Sequence, residues 1–439
     1  MKGVIIINSH IARIDEIVQS YVDDNQFMGA VLVSRNYELL INKGYGYANL
    51  EWNIPNTPST KFRLGSLTKQ FTAVAILLLE QQGKLKLTDP IKSYMGNTPA
   101  AWDNISVYHL LTHTSGIPNY TSFPEFPSMT TTHKTPVQQI ALFRDKPLDS
   151  LPGSSYAYSN SDYVLLGYII EQLSGFSYQN FVTENIFKYL GMSDSGYDSH
   201  AKIIPLRASG YIKTPKGMQN ADYLDMSIPY SAGALYSTVK DLDLWQQGIF
   251  GEKILSATSL KKLTTPNKNS YCLGVVNQSF DGYPVIHHAG GINGFGTILI
   301  YSPKDKLVIT ALSNLNAYGY VYQDIAMKIL YLMHGKKVLL SRDRKSVSIS
   351  KELLKRYTGT YKLTSTNEAY SIYSRNLEIR LEGHQLIGQI ENNFIVSLYP
   401  ESATQFFGVA PDVHIEFKKG CFDQLKWRQD EEDYIATRQ

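Results

Sequence analysis

The chain has 439 residues, 43% of them hydrophobic, and a net charge of +3 from 42 basic and 39 acidic side chains. That length makes two domains the default and that apolar content is ample for a core, while so even a charge balance speaks against nucleic acid as a partner. The longest purely apolar stretch near the start, residues 4–7, falls far short of a signal-peptide core, and no segment reaches transmembrane length. The expected compartment is the cytoplasm, or the outside if Met1 stands in for a removed leader.

In chain order, Ile11, Ile14, Ile17, Val18, Tyr21 and Val22 fall at helical spacing, and a strand pair over 29–34 and 39–45 follows about Arg35 and Asn36. The stretch from Phe62 through Gly65-Ser66-Leu67-Thr68-Lys69 to Ala73 leads into a helix with Phe71, Val74, Ala75, Leu78 and Leu79 apolar and Gly83 as its stop. Ser66 then falls at the helix N-terminus. Positions i and i+3 share a face, so the Lys69 amine can reach the Ser66 hydroxyl, and first-turn N–H groups can stabilise a developing oxyanion. A Ser-x-x-Lys tetrapeptide is weak evidence by itself, since a helix-capping serine with a solvated lysine looks the same. Residues 64–245 read largely as helices and loops, and Pro118, Pro124, Pro127, Pro136 and Pro147 mark a long irregular region able to line a cleft. Tyr158-Ser159-Asn160 closes a Gly/Ser-rich loop before a helix bearing Val164, Leu165, Tyr168, Ile169 and Leu173. That puts a phenol and a carboxamide at a second helix entrance. Thr238 to Asp241 reads as a capping box. Strands are expected over 271–277, 284–288, 296–301 and 307–312, then a helix over about 321–333. His288-Ala289-Gly290-Gly291 lies at a strand end, where glycines admit a ligand close to the backbone. His113 reads as a structural histidine at a helix end. Cys272 and Cys421 read as free thiols, with no metal site and no cofactor.

Taken in this order, Ser66-x-x-Lys69, Tyr158-x-Asn160 and His288-x-Gly290 resemble the three active-site motifs of the penicillin-binding protein and serine β-lactamase superfamily, in its class C-like branch. Leu110 to Pro118 (Leu-Leu-Thr-His-Thr-Ser-Gly-Ile-Pro) and Ala232 to Thr238 with Asp241 are similar to two further segments of that family, which extends the resemblance over about three quarters of the chain. The resemblance implies an α+β fold, an antiparallel sheet flanked by terminal helices with a helical insertion. It also implies that Ser66 is the nucleophile of an acyl-enzyme, that Lys69 and Tyr158 share its activation with the base undecided, and that Asn160, His288 and Gly290 bind substrate. The oxyanion hole would be the N–H groups of Ser66 and Gly291. His288 stands where most penicillin-recognising relatives have lysine. Histidine is mostly neutral at pH 7 and becomes a cation below about 6.5, so esters or small amides and peptides, D-amino-acid peptides included, are expected over β-lactams. His287 is expected to point to the opposite face of the strand.

Residues 336–350 are rich in lysine, arginine and serine and read as a linker. Beyond them Ile372, 377–381, 394–396, 413–417 and 425–427 alternate as short strands, which suggests a small antiparallel β-barrel similar to the lipocalin-like C-terminal domains of some family members. The expected organisation is a catalytic domain over 1–335, a linker over 336–350 and a barrel over 351–439 that stabilises or assembles the protein rather than carrying a ligand. The expected function is a serine hydrolase acting on a small-molecule ester, amide or peptide, and a homo-oligomer is compatible with it. The alternatives are a penicillin-binding DD-carboxypeptidase or β-lactamase, and a catalytically silent scaffold or sensor that binds through the barrel.

Overall fold

The computed structural model describes residues 2–96, 98–214, 217–317, 320–340, 343–365, 374–390, 394–409, 412–429 and 432–439. The elements used below are, in chain order, α1 (Lys2–Asp23), β1 (Gly29–Arg35), β2 (Glu38–Tyr45), α2 (Thr68–Gln81), α3 (Val107–Leu111), α4 (Asn160–Ser174) and α5 (Val239–Phe250). They continue with β3 (Val276–Phe280), β4 (Tyr283–Ile292), β5 (Phe295–Ser302), β6 (Leu307–Ser313), α6 (Val321–Met333) and α7 (Lys351–Arg356). Eight further strands, from Gly359–Ser365 to Glu432–Arg438, complete the chain. These elements divide into two compact units: Met28–Ile212 with Met218–Asn316, and Met1–Phe27 with Lys213–Gly217 and Ala317–Gln439.

The first unit is built on a six-stranded antiparallel sheet in the order β3-β4-β5-β6-β1-β2. Every residue of β5 and β6 is buried, which explains their predominantly apolar sequences. Between β2 and β3 the chain is mostly helix and loop, and α2 is its centre, buried from Thr68 to Leu77 and again at Leu79. A helix apolar on all sides belongs inside a core. Phe71 stacks on Trp245 of α5 with ring centroids 4.0 Å apart, and the Trp245 indole N–H donates to Gln70 Oε1 at 2.9 Å. Removing the Phe71 ring would cost about 3–5 kcal/mol at such a site. Thr238 caps α5, its hydroxyl accepting from the Asp241 N–H. The expected strand over 271–277 begins only at Val276: residues 271–275 make a buried turn, closed by the Cys272 N–H on the Val275 carbonyl. Their apolar character serves packing on α2, where a Cβ on Gly274 would come within 2.7 Å of the Lys69 carbonyl. Both cysteines are free thiols.

In the second unit α1 and α6 are joined by Tyr21, Asp324 and Lys328, with Lys328 Nζ 3.1 Å from the Asp324 carboxylate. The eight C-terminal strands close into a barrel, Tyr361 pairing with Arg438 across the seam, so no strand edge stays open. Its interior is filled by side chains such as Tyr361, Leu377, Leu398, Phe406, Ile415 and Trp427, and Tyr357, at the end of α7, packs on Phe417. Ile372 lies outside the described residues. The fold is therefore α+β with an antiparallel sheet, a helical insertion and a closed C-terminal barrel. Among the described residues no helix is long and apolar enough to cross a membrane.

Candidate active site

Gly65–Leu67 forms a 3-10 turn that runs directly into α2, so Ser66 stands partly exposed at the helix entrance while Lys69, one turn on, is fully buried. Residue 65 must be glycine: its φ is +54°, and a Cβ there would lie within 3.0 Å of the Gly291 backbone. This close approach brings the Ser66 turn against the end of β4. Gly290 works the same way, since a Cβ would meet the Leu64 carbonyl at 2.1 Å and the Ser66 nitrogen at 3.0 Å. It packs against the turn rather than lining the cleft. Gly291, one residue on, has open space before it.

Lys69 Nζ lies 3.0 Å from Ser66 Oγ, 2.8 Å from Asn160 Oδ1 and 3.0 Å from the Ala232 carbonyl. The Asn160 amide is oriented, because its Nδ2 donates to Asn119 Oδ1 at 3.3 Å and to Thr121 Oγ1 at 3.1 Å, leaving Oδ1 for the amine. Two of the three neighbours of Nζ can only accept. As an ammonium the amine donates to all three; in its neutral form, with both hydrogens on Asn160 and Ala232, its lone pair is left for the Ser66 hydroxyl proton. Burial acts in the same direction, holding Lys69 well below the ordinary lysine value against the opposing field of Asp162. Tyr158 hydrogen-bonds to Ser66; burial raises its phenol, an effect that this bond partly opposes, so the hydroxyl keeps its proton at neutral pH.

His288 is 5% exposed, and both ring nitrogens are engaged: Nδ1 with the Ala289 carbonyl at 2.6 Å and Nε2 with the Tyr271 hydroxyl at 3.1 Å. Burial pushes it down to about 3. The expected titration near 6.5 is therefore corrected, because an imidazole shut away from water resists taking a charge. His287 is the next residue on the strand, lowered by burial to about 4. His113 lies in the same buried cluster, between Asp162 and Tyr271.

A cleft of about 220 Å³ opens in front of Ser66, lined by Tyr120, Phe126, Leu224, Ile228 and Ile292 with Thr121, Asn160, Gly291 and Asn293 among the polar contacts. No acidic, basic or histidine side chain is among the described residues that line it. Of the residues singled out from sequence, Ser66, Lys69, Tyr158, Asn160 and Gly291 come together here, while His288 and Gly290 stand just behind. Asn119, Tyr271 and the apolar wall of Leu224, Ile228 and Pro229 carry no sequence signal of their own. Asp162 could have been noticed, two residues past Asn160 in the first turn of α4.

The Ser66 turn opening the central helix of an insertion, braced on the end of an antiparallel strand, belongs to a serine hydrolase of β-lactamase-like fold. The chain belongs to the Beta-lactamase family, whose profile matches residues 14–330. It is 27% identical over 435 residues to penicillin-binding protein 4* of Bacillus subtilis (strain 168), covering 91% of each chain. Among solved structures it is similar to the octameric penicillin-binding protein homologue from Pyrococcus abyssi, with a TM-score of 0.70 and 25% identity over 97% of this chain and 99% of that one. It is also similar to the D-stereospecific amidohydrolase from Streptomyces sp., with a TM-score of 0.58 and 26% identity over 66% and 90% of the two chains.

Proposed function

We propose that this serine hydrolase cleaves neutral esters and small amides, D-amino-acid amides and peptides among them, through an acyl-enzyme on Ser66. The observation that carries the reading is the buried Lys69 amine 3.0 Å from Ser66 Oγ, held there by Asn160 Oδ1 and the Ala232 carbonyl. Lys69 accepts the serine proton as Oγ attacks the acyl carbon, and the N–H groups of Ser66 and Gly291 hold the oxyanion. Tyr158, kept protonated, passes its proton to the leaving group and recovers one from Lys69; water then releases the acyl group by the reverse relay. Asn160 holds Lys69 through Oδ1 and lines the cleft beside the substrate.

The uncharged, apolar cleft supports a neutral acyl group, and the D-stereospecific amidohydrolase among the structural neighbours supports the D-amide class. A DD-carboxypeptidase or β-lactamase would need a cation for the substrate carboxylate, and the described residues that line the cleft offer none. The sensor reading fits less well with a barrel whose interior is filled by its own side chains. The domain boundary is proposed across 336–350, just beyond the end of the family match at 330. A homo-oligomer is proposed because the Pyrococcus abyssi homologue is octameric. The deciding assay is a panel of p-nitrophenyl esters, D- and L-amino-acid p-nitroanilides and nitrocefin on wild type and Ser66→Ala, with fluorophosphonate labelling of Ser66. Equal turnover by the alanine variant, or nitrocefin as the best substrate, would overturn the reading.

A further inference from the structure

Behind Tyr158 lies a line of buried polar groups that the reaction above leaves unused. His113 follows α3 in a left-handed conformation, φ +55°, a strained backbone state that persists only where its surroundings enforce it. Its carbonyl accepts the Ala157 N–H at 2.9 Å, its Nδ1 lies 3.2 Å from the Ser159 nitrogen, and its ring packs against Tyr158 with centroids 4.4 Å apart. The loop that carries Tyr158 is thus held by His113 on both sides of the tyrosine. His113 Nδ1 is also 3.1 Å from Asp162 Oδ2, and its Nε2 is 3.2 Å from the Tyr271 hydroxyl, which in turn lies 3.1 Å from His288 Nε2.

Two fixed ends decide where every proton in this line sits. The Ala289 carbonyl can only accept, so His288 carries its hydrogen on Nδ1, and its Nε2 accepts from the Tyr271 hydroxyl. The Tyr271 oxygen then accepts from His113 Nε2–H, which leaves His113 Nδ1 bare. The Ser159 N–H can only donate, and it points at that bare nitrogen. Asp162 Oδ2 lies against the same nitrogen, and a hydrogen on it, sharing the lone pair with the Ser159 N–H, keeps two lone pairs from facing each other, while its Oδ1 accepts from the Ser115 hydroxyl. An ionised Asp162 would need His113 Nδ1–H and would leave the Ser159 N–H without an acceptor. The first turn of α4 favours an anion at Asp162 and so does the nearby Lys69, but complete burial opposes it and raises the carboxyl well above its usual range. The remaining neighbour is the Tyr163 hydroxyl, which donates to the Leu111 carbonyl and hydrogen-bonds to Tyr271, a second acceptor beside His288 Nε2.

We propose that Asp162, His113 and Tyr271 form one directional hydrogen-bond chain, headed by a protonated Asp162 and ending on His288, that positions Tyr158 over Ser66. The inference rests on the assignment of Tyr158 as proton carrier, and all three are positioning residues. A neutral carboxylic acid and a carboxamide present the same donor and acceptor pair. Asp162→Ala and Tyr271→Phe therefore lower kcat on a neutral ester by roughly tenfold to a hundredfold with little change in KM, as expected when a reacting group is displaced by about 1 Å. Asp162→Asn recovers most of the loss. Were the carboxylate charge needed to fix the histidine tautomer, Asn would fail as badly as Ala, and that result overturns the proposal. A second measurement needs no variant to fold beyond those used for assignment: ¹⁵N-histidine NMR of the full chain, assigned with His113→Gln and His288→Gln. The expected spectrum has neutral His113 with its hydrogen on Nε2 and neutral His288 with its hydrogen on Nδ1; a hydrogen on His113 Nδ1 overturns the chain. Absence of fluorophosphonate labelling at Ser66 would instead fail the hydrolase reading, and the tautomers would still test the chain.

Discussion

Replacing Lys69 with methionine asks whether the amine is neutral in the folded protein. In the unfolded chain lysine keeps its proton up to about 10.5, whereas burial depresses the folded value well below that. Between the two values the unfolded state binds the extra proton, so the lysine makes wild-type stability rise with pH across this window, by about 1.4 kcal/mol per pH unit. Methionine fills a similar volume and has no proton to lose. Since Asp162 titrates in both proteins, the difference in stability between wild type and Lys69→Met isolates that slope. The variant also leaves Asn160 Oδ1 and the Ala232 carbonyl without the amine, an offset of about 1–3 kcal/mol for each that does not vary with pH. Urea denaturation at several pH values from neutral to mildly alkaline should show the methionine variant losing ground steadily as pH rises, while kcat on an activated ester drops by about 10² to 10⁴ throughout. Parallel stability curves would mean that Lys69 is charged in the fold, and the lone-pair argument for its role as base would be refuted.

Tyr158→Phe should lower kcat by about 10² to 10⁴ with a thermal midpoint near that of wild type, since the ring packing on His113 is kept; near-normal turnover on an activated ester would leave Tyr158 a wall of the cleft. Gly290→Ala, whose Cβ would lie 2.1 Å from the Leu64 carbonyl, should abolish fluorophosphonate labelling by displacing the Ser66 turn, while Gly291→Ala should fold normally; equal labelling of both would contradict the packing of this strand end. Because burial holds His288 at about 3, the ratio of kcat/KM for an anionic ester to that for its neutral isostere should stay flat from pH 5 to 8, and a rise through about 6.5 would show an exposed, titrating ring. Asn293→Lys, which adds a cation to the cleft wall, should raise that same ratio several-fold at low salt; no change would mean that substrate charge is read elsewhere.

The nucleophile and its immediate partners were legible because their chemistry is local. Ser66 and Lys69 are one helical turn apart, so a 3.6-residue period suffices to put them on one face, and Tyr158 and Asn160 flank a helix start marked by its own apolar pattern. The barrel was legible for the same reason, as a period of two in its short strands. What periodicity could not supply is how far each side chain lies from water. His288 and Lys69 look alike in the sequence, two bases in two motifs, yet packing makes one a ring locked between Tyr271 and a carbonyl and the other a buried amine, its proton affinity lowered, facing a hydroxyl. Tyr271 to Val275 mimic a strand in composition but fold as a buried turn, because the space beside α2 admits a backbone only where Gly274 lacks a Cβ. The chain from Asp162 to His288 joins residues 49, 158 and 17 positions apart, through a core that forms only when the helical insertion closes on the sheet. Sequence alone determined which groups could react; the tertiary structure decided their protonation, since only packing sets the desolvation and the hydrogen-bond partners that hold a proton in place.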